Sequence, residues 1–429
     1  MYTNRSFLAI WAGQTFSLFG SGLTGFALGV WLYQRTGSAS NLALVALCSV
    51  LPQMLLSPLA GVLVDRRNRR NLMALADTGA ALSTLWIAGL FFSGQIAVWH
   101  IYLATAMTSA FGALQGPAYT ALIAASIQPG QLGRANGLVQ LGSGLSEILA
   151  PALAGLIVTS AGIAGVLLID LLTYLVAVGT LLFSRLPAEP PAHAADSAIR
   201  ASFRSELSAG WKALQGNPRL LALAHFQALF SFLWSLFGVL VTPMLLSFTH
   251  PEGLGLVLTV AGVGLLGGSL LMSAWGGPKR RLSGLLGFEL LSALAFVLMG
   301  LRPSLALVAA AAFLAHWTLA FVSSLNEAIW QAQTPPAVQG RVFALKQAAV
   351  RSATLLAYLL ASALADSVLE PLLLPDGPLA GSLGALVGVG PGRGIAALFI
   401  LIGLVKAAAA LALKSSPLAQ TKEIAQEAT

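Results

Sequence analysis

With 57% hydrophobic and only 9% charged residues among 429, and a mean hydropathy of +0.83, the chain cannot be a soluble globular domain, in which about 25% of residues are charged. A soluble enzyme on one anchor is excluded as well, because the apolar text runs the whole length and only many spanning helices satisfy such a backbone in lipid. The net charge of +8 would suggest nucleic acid in a soluble protein; here it reads as the Lys and Arg excess of cytoplasmic loops, and no nucleic-acid partner is expected.

The first apolar run, about 7–33, is too long for a signal-peptide core and has no clear cleavage site. Five more predicted spans follow in the first half, at 41–64, 72–92, 97–125, 134–159 and 162–185. Six follow in the second, at 219–248, 254–276, 282–300, 304–332, 341–366 and 393–413. The predicted fold class is an all-α membrane protein with twelve transmembrane helices in two six-helix bundles, 1–185 and 219–413. Between them, 186–218 is the most charged and Pro-rich stretch, a cytoplasmic linker with an amphipathic surface helix predicted at 199–215; 414–429 is a cytoplasmic tail. With the amino terminus inside, the cytoplasmic segments hold most of the 23 Lys and Arg, and the outer loops hold only Arg35, Arg302 and Arg393. That asymmetry places both termini in the cytoplasm. The single cysteine, Cys48, excludes an intrachain disulfide and a cysteine metal site.

Residues 61–73 read GVLVDRRNRRNLM, with one acid and four arginines between two apolar runs. This is predicted to be a tight loop between the second and third spans. Asp77, two turns further on, is expected to partner its arginines. The halves echo each other: GRANGLVQ at 133–140 lies over GRVFALKQ at 340–347, and Arg69-Arg70 over Arg280-Arg281. Similar offsets at two places indicate a duplicated six-helix unit in parallel orientation. In the second copy Gly276 stands where Asp65 stands in the first.

The stretch from Gly61 through Asp65 and Arg66 to Arg69 and Arg70 resembles the loop signature between helices 2 and 3 of the major facilitator superfamily. IWAGQTFSLFGSGL (10–23), YQRTGSAS (33–40), LPQMLLSPLAGVLVDRRNRRNLM (51–73) and PPAVQGRVFALKQ (335–347) are similar to the branch of macrolide exporters and the enterobactin exporter. The outer segment 367–392 has no place in that pattern. The resemblance implies alternating access, usually driven by the proton gradient. It also implies a cytoplasmic latch built by Gly61, Asp65, Arg66, Arg69, Arg70 and Asp77 with Gly340 and Arg341 at the start of the eleventh span.

Polar residues at helical spacing mark the candidate path. Gln14, Ser17, Ser21 and Thr24 share one face of the first span; Thr105, Thr108, Gly112, Gln115 and Tyr119 share one face of the fourth. Such faces either line a cavity or mediate close helix packing. Asn136, Gln140, Ser143 and Glu147 recur along the fifth span, with Glu147 near its middle. An acid there costs roughly 2.5–3.5 kcal/mol on insertion scales and is a candidate for proton coupling. Pro151 in APALAG (150–155) resembles, with Ala150 in place of glycine, the Gly-Pro motif of drug antiporters. The tenth span carries His316, Ser323, Glu327 and Trp330 on one face; the eleventh carries Gln347, Arg351, Thr354 and Tyr358. Glu327 is expected to meet Lys346 or Arg351, as a structural clamp or as a gating, proton-linked pair. His316 could titrate near neutral pH. Asp170 reads as structural, and Glu289 and Lys406 as a pair near the cytoplasmic face.

Together these readings predict a bacterial inner-membrane exporter, monomeric and without cofactor, that exchanges amphipathic, macrolide-like small molecules for protons. Glu147, Glu327 and His316 are the proton-coupling candidates. Gln14, Ser17, Ser21, Gln115, Tyr119, Gln140, Trp234, Trp330 and Arg351 are the cavity candidates. A siderophore or endogenous-metabolite exporter and a non-transporting receptor or scaffold are the alternatives. No GxxxxGK[ST] occurs, so the chain does not drive transport with its own ATP site.

Overall fold

The computed structural model describes residues 5–126, 132–184, 211, 214–334 and 339–415. The predicted linker helix at 199–215 lies almost wholly outside them. The long helices are α1 (Arg5–Thr36), α2 (Ala39–Arg66), α3 (Arg69–Phe92), α4 (Val98–Ser126) and α5 (Leu132–Phe183), followed by α6 (Pro218–Leu246), α7 (Pro251–Trp275), α8 (Arg281–Leu301), α9 (Leu305–Gln333) and α10 (Gln339–Ser362). A π-helix, Ala363–Leu369, continues α10 into the short α11 (Glu370–Leu373); α12 (Leu383–Val387) and α13 (Arg393–Lys414) complete the described chain. α5 is two spans joined at Gly162, whose φ of 68° and ψ of −175° only glycine adopts without strain. Counting its two arms separately, twelve helices among the described residues are long enough to cross a bilayer, which needs about 20 residues each.

Backbone contacts divide the chain into two compact units: Met1–Ala195 with His250–Thr259, and Asp196–Thr249 with Val260–Thr429. Lipid tails are as apolar as leucine, so small residues that let backbones approach decide which helices pair. In the first unit α1 runs antiparallel to the second arm of α5. A Cβ at Gly13 would overlap Thr180 Oγ1, and one at Gly20 would overlap Thr173 Oγ1. Glycines seven apart therefore face threonines seven apart. The first turns of α7 are held to the first arm of α5 in the same way: a Cβ on Gly155 would lie 2.8 Å from Pro251 O, and one on Gly255 2.5 Å from Pro151 O. In the second unit Gly264 and Gly268 of α7 sit against the carbonyls of Phe313 and Trp317 on α9. Large leucines such as Leu55, Leu175 and Leu270 remain exposed on the outside, where lipid would cover them.

The arginine-rich stretch is tighter than its sequence suggests. α2 runs through Asp65 to Arg66 and α3 starts at Arg69, leaving only Arg67 and Asn68 between them. Asn68 caps α3, its Oδ1 accepting from Asn71 N at 3.1 Å. Arg70 Nη2 donates to Leu182 O in the last turn of α5, where a cation meets the negative end of the helix dipole. The side chains of Asp65 and Arg66, and of Gln140 and Arg341, lie outside those described, as does the surrounding of Gly61 and Gly340.

The segment 367–392, which the resemblance left unplaced, has a defined fold. Glu370 Oε2 accepts from Gly392 N at 3.2 Å, beside the start of α13. Arg393 is buried; its Nη1 donates to Val387 O at 3.1 Å and its guanidinium lies 5.7 Å from the Phe248 ring. An arginine expected in an outer loop is thus a pin inside the second unit.

Candidate functional site

In the first unit three neutral or acidic side chains from three helices close a ring. Gln14 of α1 donates from Nε2 to Asp77 Oδ2 at 2.7 Å. Gln115 of α4 donates from Nε2 to Asp77 Oδ1 at 2.6 Å and to Gln14 Oε1 at 2.9 Å. The amide nitrogen uses both of its hydrogens, and each carboxylate oxygen receives one bond. Asp77 of α3 is fully buried, 0% exposed. This corrects the sequence expectation that Asp77 pairs with the arginines. Arg69 lies eight residues away, about 12 Å along a helix, and Arg70 is directed to α5 instead.

Gln14 and Gln115 of the ring form part of the wall of a cavity of about 290 Å³, lined also by Ser17, Ser21, Thr108, Tyr119 and Tyr174; Asp77 lies behind them. Ser21 Oγ donates to Ser17 O at 3.0 Å, so its contact with Tyr174 OH, also 3.0 Å, has the tyrosine as donor. A second cavity of about 250 Å³ shares Ser21, Thr108 and Tyr174 with the first. Its wall includes Asp170, 1% exposed, whose Oδ2 accepts from Thr24 Oγ1 at 2.8 Å and Thr84 Oγ1 at 3.2 Å. Gln14, Ser17, Ser21, Gln115 and Tyr119 thus line one cavity together, and Ser143 joins them. Glu147, one turn on from Ser143, is exposed and has no hydrogen-bond or ion-pair partner among the described residues.

The second unit holds two ion pairs. Lys346 Nζ bonds Glu327 Oε2, with the lysine nearly buried and the glutamate half exposed. The ammonium also lies 5.4 Å from the Trp330 ring and 5.1 Å from the Phe343 ring. Arg351 is exposed and takes no part, so Lys346 is the cation that Glu327 meets. Lys406 Nζ and Glu289 Oε1 are 2.7 Å apart, both residues 1% exposed, with the ammonium 4.6 Å from the Phe230 ring. Each stands eight residues from one end of its helix, about 12 Å in, and the pairing expected from sequence is present. Trp330 is fully buried and forms core rather than a cavity wall. Trp234 packs on His316, ring centroids 5.1 Å apart, and His316 Nδ1 donates to Ala312 O at 2.9 Å. Gln227 and Asn326, absent from the sequence-based candidates, meet side by side on α6 and α9.

The profile of the Major Facilitator Superfamily matches residues 10–249, more than half of the chain. The chain belongs to the Major Facilitator Superfamily. Macrolide efflux protein A of Streptococcus pyogenes is 27% identical over 370 residues, covering 84% of this chain and 90% of that protein. Multidrug efflux pump Tap of Mycobacterium tuberculosis is 30% identical over 138 residues, 31% of this chain and 33% of that protein. A solved bacterial homolog of the human lysosomal transporter Spinster, inward-facing and unoccupied, shares the fold with a TM-score of 0.71 at 14% identity, covering 96% of both chains. The nucleoside transporter NupG does so with a TM-score of 0.71 at 13% identity, covering 98% of this chain and all of that one.

As a member of the Major Facilitator Superfamily the chain is a multi-pass bacterial membrane protein and a secondary active transporter of small molecules, not an enzyme. For a superfamily member the ring around Asp77 has clear chemical meaning. It sets two amides, with one acidic group behind them, beside a cavity whose other walls carry hydroxyls and apolar carbon, a surface suited to a weakly polar ligand.

Proposed function

We propose that this superfamily member is an exporter of amphipathic, macrolide-like small molecules, exchanged for protons by alternating access across the bacterial inner membrane, with both termini cytoplasmic and the chain acting as a monomer. The observation that carries the reading is the cavity beside Asp77, Gln14 and Gln115: neutral hydroxyls and amides, with acids set behind them. A lipophilic cargo with scattered hydroxyls fits such a wall. Neither acid has a Lys, Arg or His ion-pair partner among the described residues, so a strongly anionic cargo, such as a siderophore, finds no counter-charge there. The Streptococcus pyogenes relative's name points the same way. Glu147, Glu327 and His316 remain in this reading as the proton-coupling candidates; Asp65, Arg66, Arg69, Arg70, Gly61, Gly340 and Arg341 are its cytoplasmic latch.

The test is uptake of a panel of macrolides and catecholate siderophores by energised inverted vesicles, with and without an uncoupler. The expected result is macrolide accumulation that collapses when the proton gradient does. Accumulation indifferent to the uncoupler overturns proton exchange, and a panel in which only catecholate siderophores accumulate overturns the cargo.

A further inference from the structure

The two buried acids of the first unit are satisfied very differently. Asp77 receives an amide hydrogen on each carboxylate oxygen. Asp170 receives both of its hydroxyl donors, Thr24 and Thr84, on Oδ2. Its Oδ1 is buried with no partner among the described residues. That oxygen faces α1 at Gly20, where an added Cβ would stand 2.8 Å from it. A buried anion needs a counter-charge or donors around both oxygens, and leaving one bare costs far more than leaving a neutral group bare. Where two carboxyls differ in this way, the better-solvated one keeps the charge and the other keeps the proton.

The groups around Asp170 support the same division. Of the helices packed on it, α1 presents the neutral Thr24 and Ser21, α3 presents Thr84, α4 presents Thr105 and Thr108, and α5 itself presents Tyr174. Among the described residues the titratable group facing it is thus Tyr174, with Tyr119 on the neighbouring cavity wall and Asp77 behind that wall. None is cationic. Asp170 nevertheless lines a cavity, and that cavity shares Ser21 and Tyr174, themselves hydrogen bonded, with the cavity beside Asp77. A proton at Asp170 therefore has hydroxyls beside it.

We propose that Asp170 is the exchangeable proton site of the first unit, neutral when loaded, with Asp77, behind the neighbouring cavity, as the unit's fixed anion and the Ser21–Tyr174 pair as the hydroxyls through which the proton passes. The step is a proton transfer alone: the Asp170 O–H bond breaks as an O–H bond to the relay hydroxyl forms, that hydroxyl gives up its own proton to the cavity, and Asp170 is left a carboxylate. This assignment rests on the proton-exchange reading above and moves its centre from Glu147 to the last arm of α5.

The test uses the purified full-length protein and proteoliposomes. Infrared difference spectra should show a protonated-carboxyl C=O band at neutral pH that Asp170→Asn removes and Asp77→Asn keeps. Asp170→Asn should lose gradient-driven macrolide accumulation while keeping macrolide counterflow, which needs binding and alternation but no net proton movement. Asp170→Glu, which keeps the carboxyl, should restore part of the accumulation and shift the band. Absence of any such band in the unaltered protein overturns the assignment without a variant. So does uncoupler-sensitive accumulation that survives in Asp170→Asn, and that result leaves proton exchange standing. Uncoupler-insensitive transport by the unaltered protein is the separate result that defeats proton exchange itself.

Discussion

The pair formed by Glu289 and Lys406 gives a prediction whose size follows from its surroundings. Both residues are 1% exposed, the ion pair is a single bond of 2.7 Å, and Glu289 Oε2 has no partner among the described residues. Removing one member strands the other charge in an apolar wall, at a cost of about 3–5 kcal/mol. Lys406→Met also forfeits contact of the ammonium with Phe230 and Phe296, 4.6 and 5.4 Å from the ring centres. Each such contact contributes roughly 0.5–2 kcal/mol, so Lys406→Met should reach the upper end of the range and Glu289→Met the lower. The double variant Glu289→Met/Lys406→Met replaces an incompletely satisfied pair by apolar volume and should lie within about 1 kcal/mol of the parent, or above it. Denaturant titration in detergent micelles, read by tryptophan fluorescence, gives the double-mutant cycle. Single variants that cost under about 1 kcal/mol, or a double variant as unstable as the sum of the singles, would refute the reasoning that an isolated buried charge dominates here.

Two further outcomes follow from other contacts. Gly20→Val places branched carbon against Thr173 Oγ1, Asp170 Oδ1 and Asp170 Cα, the last at 3.1 Å from the new Cβ; overpacking of this kind costs about 1–3 kcal/mol, and thermal unfolding in detergent should show the loss, whereas Gly25→Ala, with open space around it, should not. Asp65→Asn should cut transport while leaving membrane insertion and detergent stability intact; unchanged transport would reduce residues 61–73 to a topological anchor.

Most of the helices were legible as apolar runs because a bilayer demands about 20 such residues in each. The boundaries were less so at charged ends. Hydropathy reports immersion in lipid, whereas Asp65 and Arg66 continue the hydrogen-bonded turns of α2 beyond the apolar run. At the site, helical spacing brought Gln14, Ser17, Ser21, Gln115 and Tyr119 to faces that the structure sets around one cavity. The partner of Asp77 was not legible, because sequence nearness favoured Arg69 and Arg70 while the donors come from two other helices. A usable signal was present nearby: Gly13 and Gly20, seven apart, match Thr173 and Thr180, also seven apart, and that register sets Thr24 on Asp170. Depth matched Lys346 to Glu327 but left Arg351 within reach; the aromatic rings of Trp330 and Phe343 favour the flexible lysine that lies beside them. Residues 367–392 carry no sustained period, so their fold around Glu370 and Arg393 appears only in three dimensions.

The Asp77 ring also bears on how the chain is made. Ribosomes deliver helices in order, and Asp77 leaves the ribosome 63 residues after Gln14 but 38 residues before Gln115. When α3 first meets lipid, one carboxylate oxygen can find its amide on α1 while the other still lacks α4. A centrally placed acid costs roughly 2.5–3.5 kcal/mol to insert, so α3 should linger beside the insertion machinery, or enter together with α1 and α4, rather than partition by itself. Asp170 meets the opposite situation: both of its hydroxyl donors, on α1 and α3, are already synthesised when it emerges. The same acidic residue type thus makes one helix wait for its successor and lets another dock at once on its predecessors.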